Sequence, residues 1–274
     1  MKSYRGHPGI YKTADEPKKA ELKVENLSLR FGGVTALHDV TLNVSTGELV
    51  AVIGPNGAGK TSLLNTVTGF YRAGQGRIIF NEEDITRAHT HEITRKGIGR
   101  TFQNIELFPG MSVLANMMLA RHLFSDYSFA SASLFLPSVR REEVKHRKIV
   151  EDIIDFLEMQ AIRNTPVGSL PYGQRKRVEL GRALSLEPAL LVLDEPFAGM
   201  NMEEKEDMVR FLVELNEGWN QTMILVEHDM SIVMSISKRV VVLNFGEKLA
   251  EGSPEEIQNN PEVISAYLGE AEAL

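Results

Sequence analysis

The chain has 274 residues, 43% hydrophobic and 24% charged, with 30 Lys and Arg against 37 Asp and Glu for a net charge of −7. That length suits one large α/β domain or a domain with a subdomain, and the acidic balance argues against non-specific nucleic-acid binding, which needs a basic surface. Cysteine is absent, which excludes disulfides and thiolate metal sites, and no stretch approaches the roughly 18 to 20 apolar residues that cross a bilayer.

Met1 to Gly9 carries basic residues with no apolar run behind them, so it does not read as a secretory signal. Residues 1–20 mix Gly, Pro, Lys, Asp and Glu without periodicity and predict a flexible tail. From Glu21 the alternation of Leu22, Val24, Leu27 and Leu29 predicts strand, broken near Asn26. Leu49-Val50-Ala51-Val52-Ile53 is a continuous apolar run ending at Gly54, the mark of a buried strand.

The next eight residues, Gly54-Pro55-Asn56-Gly57-Ala58-Gly59-Lys60-Thr61, match G-x-x-x-x-G-K-[ST] between that strand and the helical Ser62-Leu63-Leu64. The glycines let successive N–H groups turn inward toward phosphate oxygens, and the helix start adds partial positive charge. In this pattern Lys60 reaches the β- and γ-phosphates and the Thr61 hydroxyl is a Mg²⁺ ligand. Strand, helix and Lys-Thr together make a chance match improbable, and nucleotide binding follows.

Between about 104 and 186 the sequence has helical spacing, as in Val150, Ile153, Ile154 and Leu157, but no convincing buried strand. This predicts an inserted helical subdomain, with a Ser/Phe-rich section at 124–136. Strand runs then return at Leu190–Leu193, Met223–Val226 and Val240–Leu243, with helical Met208, Phe211, Leu212 and Leu215 between them. Buried strands alternating with helices define an α/β fold with a largely parallel sheet, whose functional groups gather at the strands' carboxyl ends.

Two such ends carry chemistry. Asp194 and Glu195 follow one buried strand. Side chains alternate along a strand, so Asp194 is expected to hold Mg²⁺, directly or through water, while Glu195 faces the water beyond the γ-phosphate. His228 follows another, where it can donate to a γ-phosphate oxygen. An isolated histidine would read as an ordinary surface residue; its place after the strand sets it apart.

The order of the phosphate loop, Gln103 in Arg100-Thr101-Phe102-Gln103-Asn104, Leu170-Pro171-Tyr172-Gly173-Gln174, Asp194-Glu195 and His228 resembles the ABC-transporter ATPases from Glu21 to about Gly246. The resemblance implies a P-loop ATPase core with an added antiparallel β part. It divides the ATPase domain, 21–274, into a core at 21–103 and 187–246, a helical subdomain at about 104–186 and a C-terminal segment at 247–274. It also implies that Ser62 lines the phosphate site and that Gln103 touches Mg²⁺ or the attacking water. Phe31 would stack on adenine, although a core phenylalanine at a turn explains it as well.

The family signature, Leu-Ser-Gly-Gly-Gln at a helix start, covers the nucleotide of the opposite subunit, so Tyr172, Gly173 and Gln174 would act in trans. Here Pro171 stands for Ser and Tyr172 for the first Gly. The run Arg175-Lys176-Arg177 on that helix is expected to be a solvated face.

Tyr172-Gly173-Gln174 is similar to the ATPases of branched-chain amino-acid importers, as are Arg30-Phe31-Gly32-Gly33, Gly69-Phe70-Tyr71, Ala198-Gly199-Met200-Asn201 and the ending at 259–269. The resemblance implies ATP hydrolysis on the cytoplasmic face of the inner membrane, coupled to permease subunits, a second ATPase subunit and, indirectly, an extracytoplasmic binding protein. Ile105-Glu106-Leu107-Phe108 would either meet the permease or pack in the subdomain. No nucleic acid is expected. The alternatives are a soluble ABC ATPase acting on ribosomes or nucleic acid, or the ATPase of a transporter for urea, amides, aromatic acids or lipids.

Overall fold

The computed structural model describes residues 18–103, 105–124 and 137–271. The expected tail lies outside these residues except for Lys18 to Ala20, and so does most of the Ser/Phe-rich section. Those three tail residues are held in place. Lys18 Nζ donates to the Glu187 carbonyl at 2.7 Å, Lys19 pairs with Glu82, and Ala20 is fully buried.

The chain then builds two sheets. Strands β1 (Leu22–Phe31), β2 (Val34–Val44), β4 (Gln75–Phe80) and β5 (Glu83–Asp84) form an antiparallel sheet in the order β2-β1-β4-β5. The break expected near Asn26 is a register shift between Val24 and Leu27. Asn26 sits at φ 49 and its side-chain amide donates to Asp39 at 2.7 Å, a conformation Asn tolerates better than most residues.

The second sheet contains β3 (Leu49–Ile53), β6 (Ile98–Arg100), β7 (Leu190–Asp194), β8 (Thr222–Val226), β9 (Arg239–Asn244) and β10 (Glu247–Gly252), ordered β10-β9-β3-β8-β7-β6. All neighbours are parallel except β10, which pairs antiparallel with β9. Every residue of β3, β7 and β8 is buried, as expected for strands covered on both faces. The segment after Gly246 is therefore continuous with the sheet: Ile257 and Val263, on helices α8 (Pro254–Gln258) and α9 (Pro261–Ala271), pack with Val240 and Val242.

Helix α1 (Lys60–Val67) follows β3, and α2 (Thr90–Arg95) precedes β6. Between β6 and β7 lie α3 (Val113–Arg121), α4 (Pro137–Phe156) and α5 (Tyr172–Leu184), with one isolated bridge, Ser112 to Pro166, and no strand among the described residues. Val150, Ile153, Ile154 and Leu157 are all fully buried, so the periodic face is the packed one. Gly181 sits where α3 meets α5, and a Cβ there would lie 2.9 Å from Met117 Cε. The same apolar cluster runs on to Leu191, Leu193 and Met223, tying these helices to the sheet. Helices α6 (Met202–Val213) and α7 (Met230–Ile236) follow β7 and β8.

The strand order has one consequence for function. The carboxyl ends of β3, β8, β7 and β6 stand side by side, so the phosphate loop, Glu227-His228, Asp194-Glu195 and Thr101–Gln103 form one row along the sheet's edge.

Candidate functional site

The phosphate loop is a turn that glycine makes feasible. Gly54, Gly57 and Gly59 have φ of 148, 77 and 100, and a Cβ on Gly54 would come 2.1 Å from the Leu243 carbonyl oxygen. Gly59, left-handed, is the N-cap of α1, whose first-turn N–H groups lack intrahelical partners and suit an anion. Lys60 is 8% exposed and closes the loop from inside, its Nζ donating to the carbonyls of Gly54 at 2.6 Å and Pro55 at 2.9 Å. The amide of Gly246 braces the outside by donating to Ala58 O at 3.0 Å. Thr61 and Ser62 are partly exposed on the first turn.

Asp194 ends β7 with 1% exposure. Its Oδ2 accepts from Arg100 at 2.8 Å, while Oδ1 is buried with no hydrogen-bond partner among the described residues. Burial pushes its carboxyl above the usual range, against the pull of Arg100. An orphaned carboxylate oxygen is rare in a folded interior, and it is the donor type a hard divalent cation takes. The free oxygen of Asp194 is therefore compatible with a Mg²⁺ ligand. Arg100 was not singled out by sequence reasoning. It gathers Asn65 and Thr68 of the α1 end as well as Asp194, and its guanidinium lies over the rings of Phe70 and Phe102.

Glu195 follows at φ 47, a left-handed conformation that costs a non-glycine residue of order 1–3 kcal/mol. Its amide donates to Val226 O at 2.9 Å, fixing the turn that points the carboxylate out of the sheet. There Gln103 Nε2 donates to Glu195 Oε2 at 3.0 Å, so two residues 92 positions apart meet at the strand ends.

His228 stands where expected after β8, with its side chain 63% exposed and Nδ1 3.7 Å from Glu227 Oε2. Among the described residues it is not bonded to Glu195. Glu227, which the sequence does not single out, is 1% exposed. It accepts from the amide of Phe197 at 3.0 Å and that of His228 at 3.0 Å, clamping the loop after β7 to the loop after β8. Burial raises its pKa despite these donors. Asp229 is the opposite case. Its bonds to Lys205 and Ser231 hold its pKa down to about 2. Its contribution to stability is therefore full above the ordinary carboxylate pKa and is lost as pH falls toward about 2. Asp229→Asn is expected to be less stable than wild type at pH 7, by about 1 kcal/mol, for a pair whose side chains are 28% and 25% exposed to screening solvent. In urea denaturation the gap should close as pH drops below about 4; a gap independent of pH would contradict this.

Among the described residues, Phe31, Tyr172, Gly173 and Gln174 make no hydrogen bond to that row. Phe31 is 47% exposed and meets Tyr71 edge-on with ring centroids 4.9 Å apart, so it is not a core residue. Tyr172 begins α5 behind Pro171, the N-cap, which offers no side-chain acceptor. Its ring packs on Gly199. Gly173 is pressed by Glu204, whose carboxylate would lie 2.2 Å from an added Cβ. Among the described residues none of Tyr172, Gly173 and Gln174 is bonded to the chain's own phosphate loop.

One expectation is corrected. The cations after Gln174 are not a solvated face: Lys176 is 2% exposed and binds the backbone of Phe102 and Gln103, and Arg177 pairs with Asp207 at 2.8 Å. Three adjacent helical residues point in three directions, and Lys176 points inward. Ile105–Phe108 is divided too: Leu107 packs in the helical cluster, whereas Phe108 is 50% exposed.

A phosphate loop, a carboxylate pair on the next strand but one, and a glutamine against that pair define a P-loop ATPase built on an α/β sheet. Residues 37–198 match the family described as ABC transporter, and residues 247–273 match the C-terminal segment described as branched-chain amino acid ATP-binding cassette transporter. The chain belongs to the ABC transporter ATPase family. It is 42% identical over 250 residues to the high-affinity branched-chain amino acid transport ATP-binding protein BraF of Pseudomonas aeruginosa, covering 91% of this chain and 98% of BraF. It is 40% identical to LivG of Escherichia coli, of the same description, over the same shares. Among solved structures, MJ1267, an ATP-binding cassette of an ABC transporter in its ADP conformation, superposes with a TM-score of 0.79 at 32% identity, covering 91% of this chain and 99% of that one.

Proposed function

We propose that this ATPase powers an importer of branched-chain or related hydrophobic amino acids, as a peripheral subunit on the cytoplasmic face of the membrane. The likeness to BraF and LivG over nearly the whole chain supports the cargo class, and the match at 247–273 supports it independently of the catalytic core. Among the described residues no helix is long and apolar enough to cross a membrane, so attachment would come through permease subunits.

The observation that carries the chemistry is the Gln103–Glu195 contact beside the orphaned oxygen of Asp194. ATP would lie with its phosphates in the phosphate loop, Lys60 leaving its carbonyl partners to reach the β- and γ-oxygens. Phe31 would stack on the adenine. Glu195 would orient and deprotonate the attacking water, Gln103 would position it, and His228, free to swing inward, would donate to a γ-phosphate oxygen. Asp194, Thr61 and Gln103 would hold Mg²⁺, whose charge offsets that on the transferring phosphoryl oxygens. Tyr172, Gly173 and Gln174, which among the described residues are not bonded to the chain's own loop, would cover the nucleotide of a second ATPase subunit.

A groove of about 530 Å³, lined in part by Phe102, the residue before Gln103, would seat the permease. Phe70, Ile93, Phe102, Leu119, Leu123 and Leu186 line it, joining the core to the helical segment. Affinity purification from detergent-solubilised membranes tests the assignment. Two permease subunits with a second ATPase are expected to co-purify, and recovery of ribosomes or of nothing would remove the transporter while leaving the ATPase.

A further inference from the structure

The segment that carries Gln103 is fastened to helix α5 by two buried charges. Lys176 Nζ donates to the carbonyl of Gln103 at 2.9 Å and that of Phe102 at 3.3 Å, and lies 3.5 Å from Glu179 Oε2. Glu179 Oε1 accepts from the Phe102 amide at 3.0 Å. Both side chains are almost wholly buried, at 1% and 2% exposure. Burial raises the pKa of Glu179, and Lys176 pulls it back. Buried charges are retained at a desolvation cost that apolar packing would avoid, so they indicate a demand for directed geometry. Apolar contacts alone would let the segment slide on the helix; bonds to three backbone groups of two consecutive residues hold it in register.

The same helix begins at Tyr172, four residues before Lys176, which is about 6 Å of helical rise. At its other face the segment places the Gln103 side chain on Glu195. We propose that the Lys176–Glu179 pair is a latch that makes Gln103 and the helix start Tyr172–Gln174 move as one body. The proposal rests on the roles given above to Gln103 and to Tyr172–Gln174, and it adds Lys176 and Glu179 as positioning residues.

The test is a double-mutant cycle in the full chain, reading kcat and ATP affinity for Lys176→Met, Gln103→Ala and the double variant. Lys176→Met is expected to lower kcat by about tenfold or more, with ATP affinity held within about twofold. The double variant should be no slower than Gln103→Ala alone, because the latch acts through Gln103. Lys176→Arg, which can still donate to both carbonyls, should regain most of the rate. Losses that multiply in the double variant, or an unchanged kcat in Lys176→Met, would overturn the latch. If Lys176→Met does not fold, Glu179→Gln enters the same cycle, keeping an acceptor for the Phe102 amide while removing the charge beside Lys176. A wild-type kcat in Gln103→Ala would overturn the role of Gln103 itself, and the latch with it.

Discussion

Glu195→Gln is expected to bind ATP within about twofold of wild type and to lose about 10²- to 10⁴-fold in turnover, the range spanned by loss of a general base. The geometry separates the two effects. Glu195 leaves the sheet on a left-handed turn held by its own backbone amide, so the substitution does not disturb the strand. The carboxamide can still accept from Gln103, which preserves the contact that places the glutamine. What disappears is the negative charge able to take a proton from water. Single-turnover hydrolysis alongside equilibrium binding of a fluorescent ATP analogue checks both halves. Hydrolysis at the wild-type rate would take the base role away from Glu195.

Lys60→Ala should act on the other quantity. The ammonium lies inside the loop, and it would reach phosphate by releasing the carbonyls of Gly54 and Pro55. A charge-assisted hydrogen bond is worth about 1.5–3 kcal/mol, so ATP affinity is expected to fall by about two orders of magnitude and binding to vanish at micromolar ATP. The fold should survive, because strand β3 and the apolar face of α1 do not depend on the ammonium. Calorimetric titration with ATP at matched folding, checked by circular dichroism, is the measurement. Unchanged affinity would sink the phosphate-loop assignment.

Much of the row at the strand ends is legible in the sequence alone. The phosphate loop is contiguous, its glycines answer to backbone geometry, and an apolar run before it announces the buried strand. Asp194, Glu195 and His228 could be placed because each follows a continuous apolar run, and a parallel sheet puts such ends on one edge. Gln103 was found only through the resemblance to the family, since β6 is three residues long and carries too short a pattern to announce itself.

Other parts of the site had no local signal. Arg100, Lys176, Glu179 and Glu227 are charged residues whose types predict exposure, yet each is largely or wholly buried against a partner distant in sequence or against backbone. A periodic pattern is written in neighbouring residues, so apolar strands and helices and a contiguous loop were determined by the sequence itself. Which charges turn inward, and which loops they tie together, was decided only when β6, β7 and β8 lay side by side with α5 packed against them. A long polar side chain can be buried only where a specific partner offsets its desolvation, and that partner exists nowhere but in the folded chain.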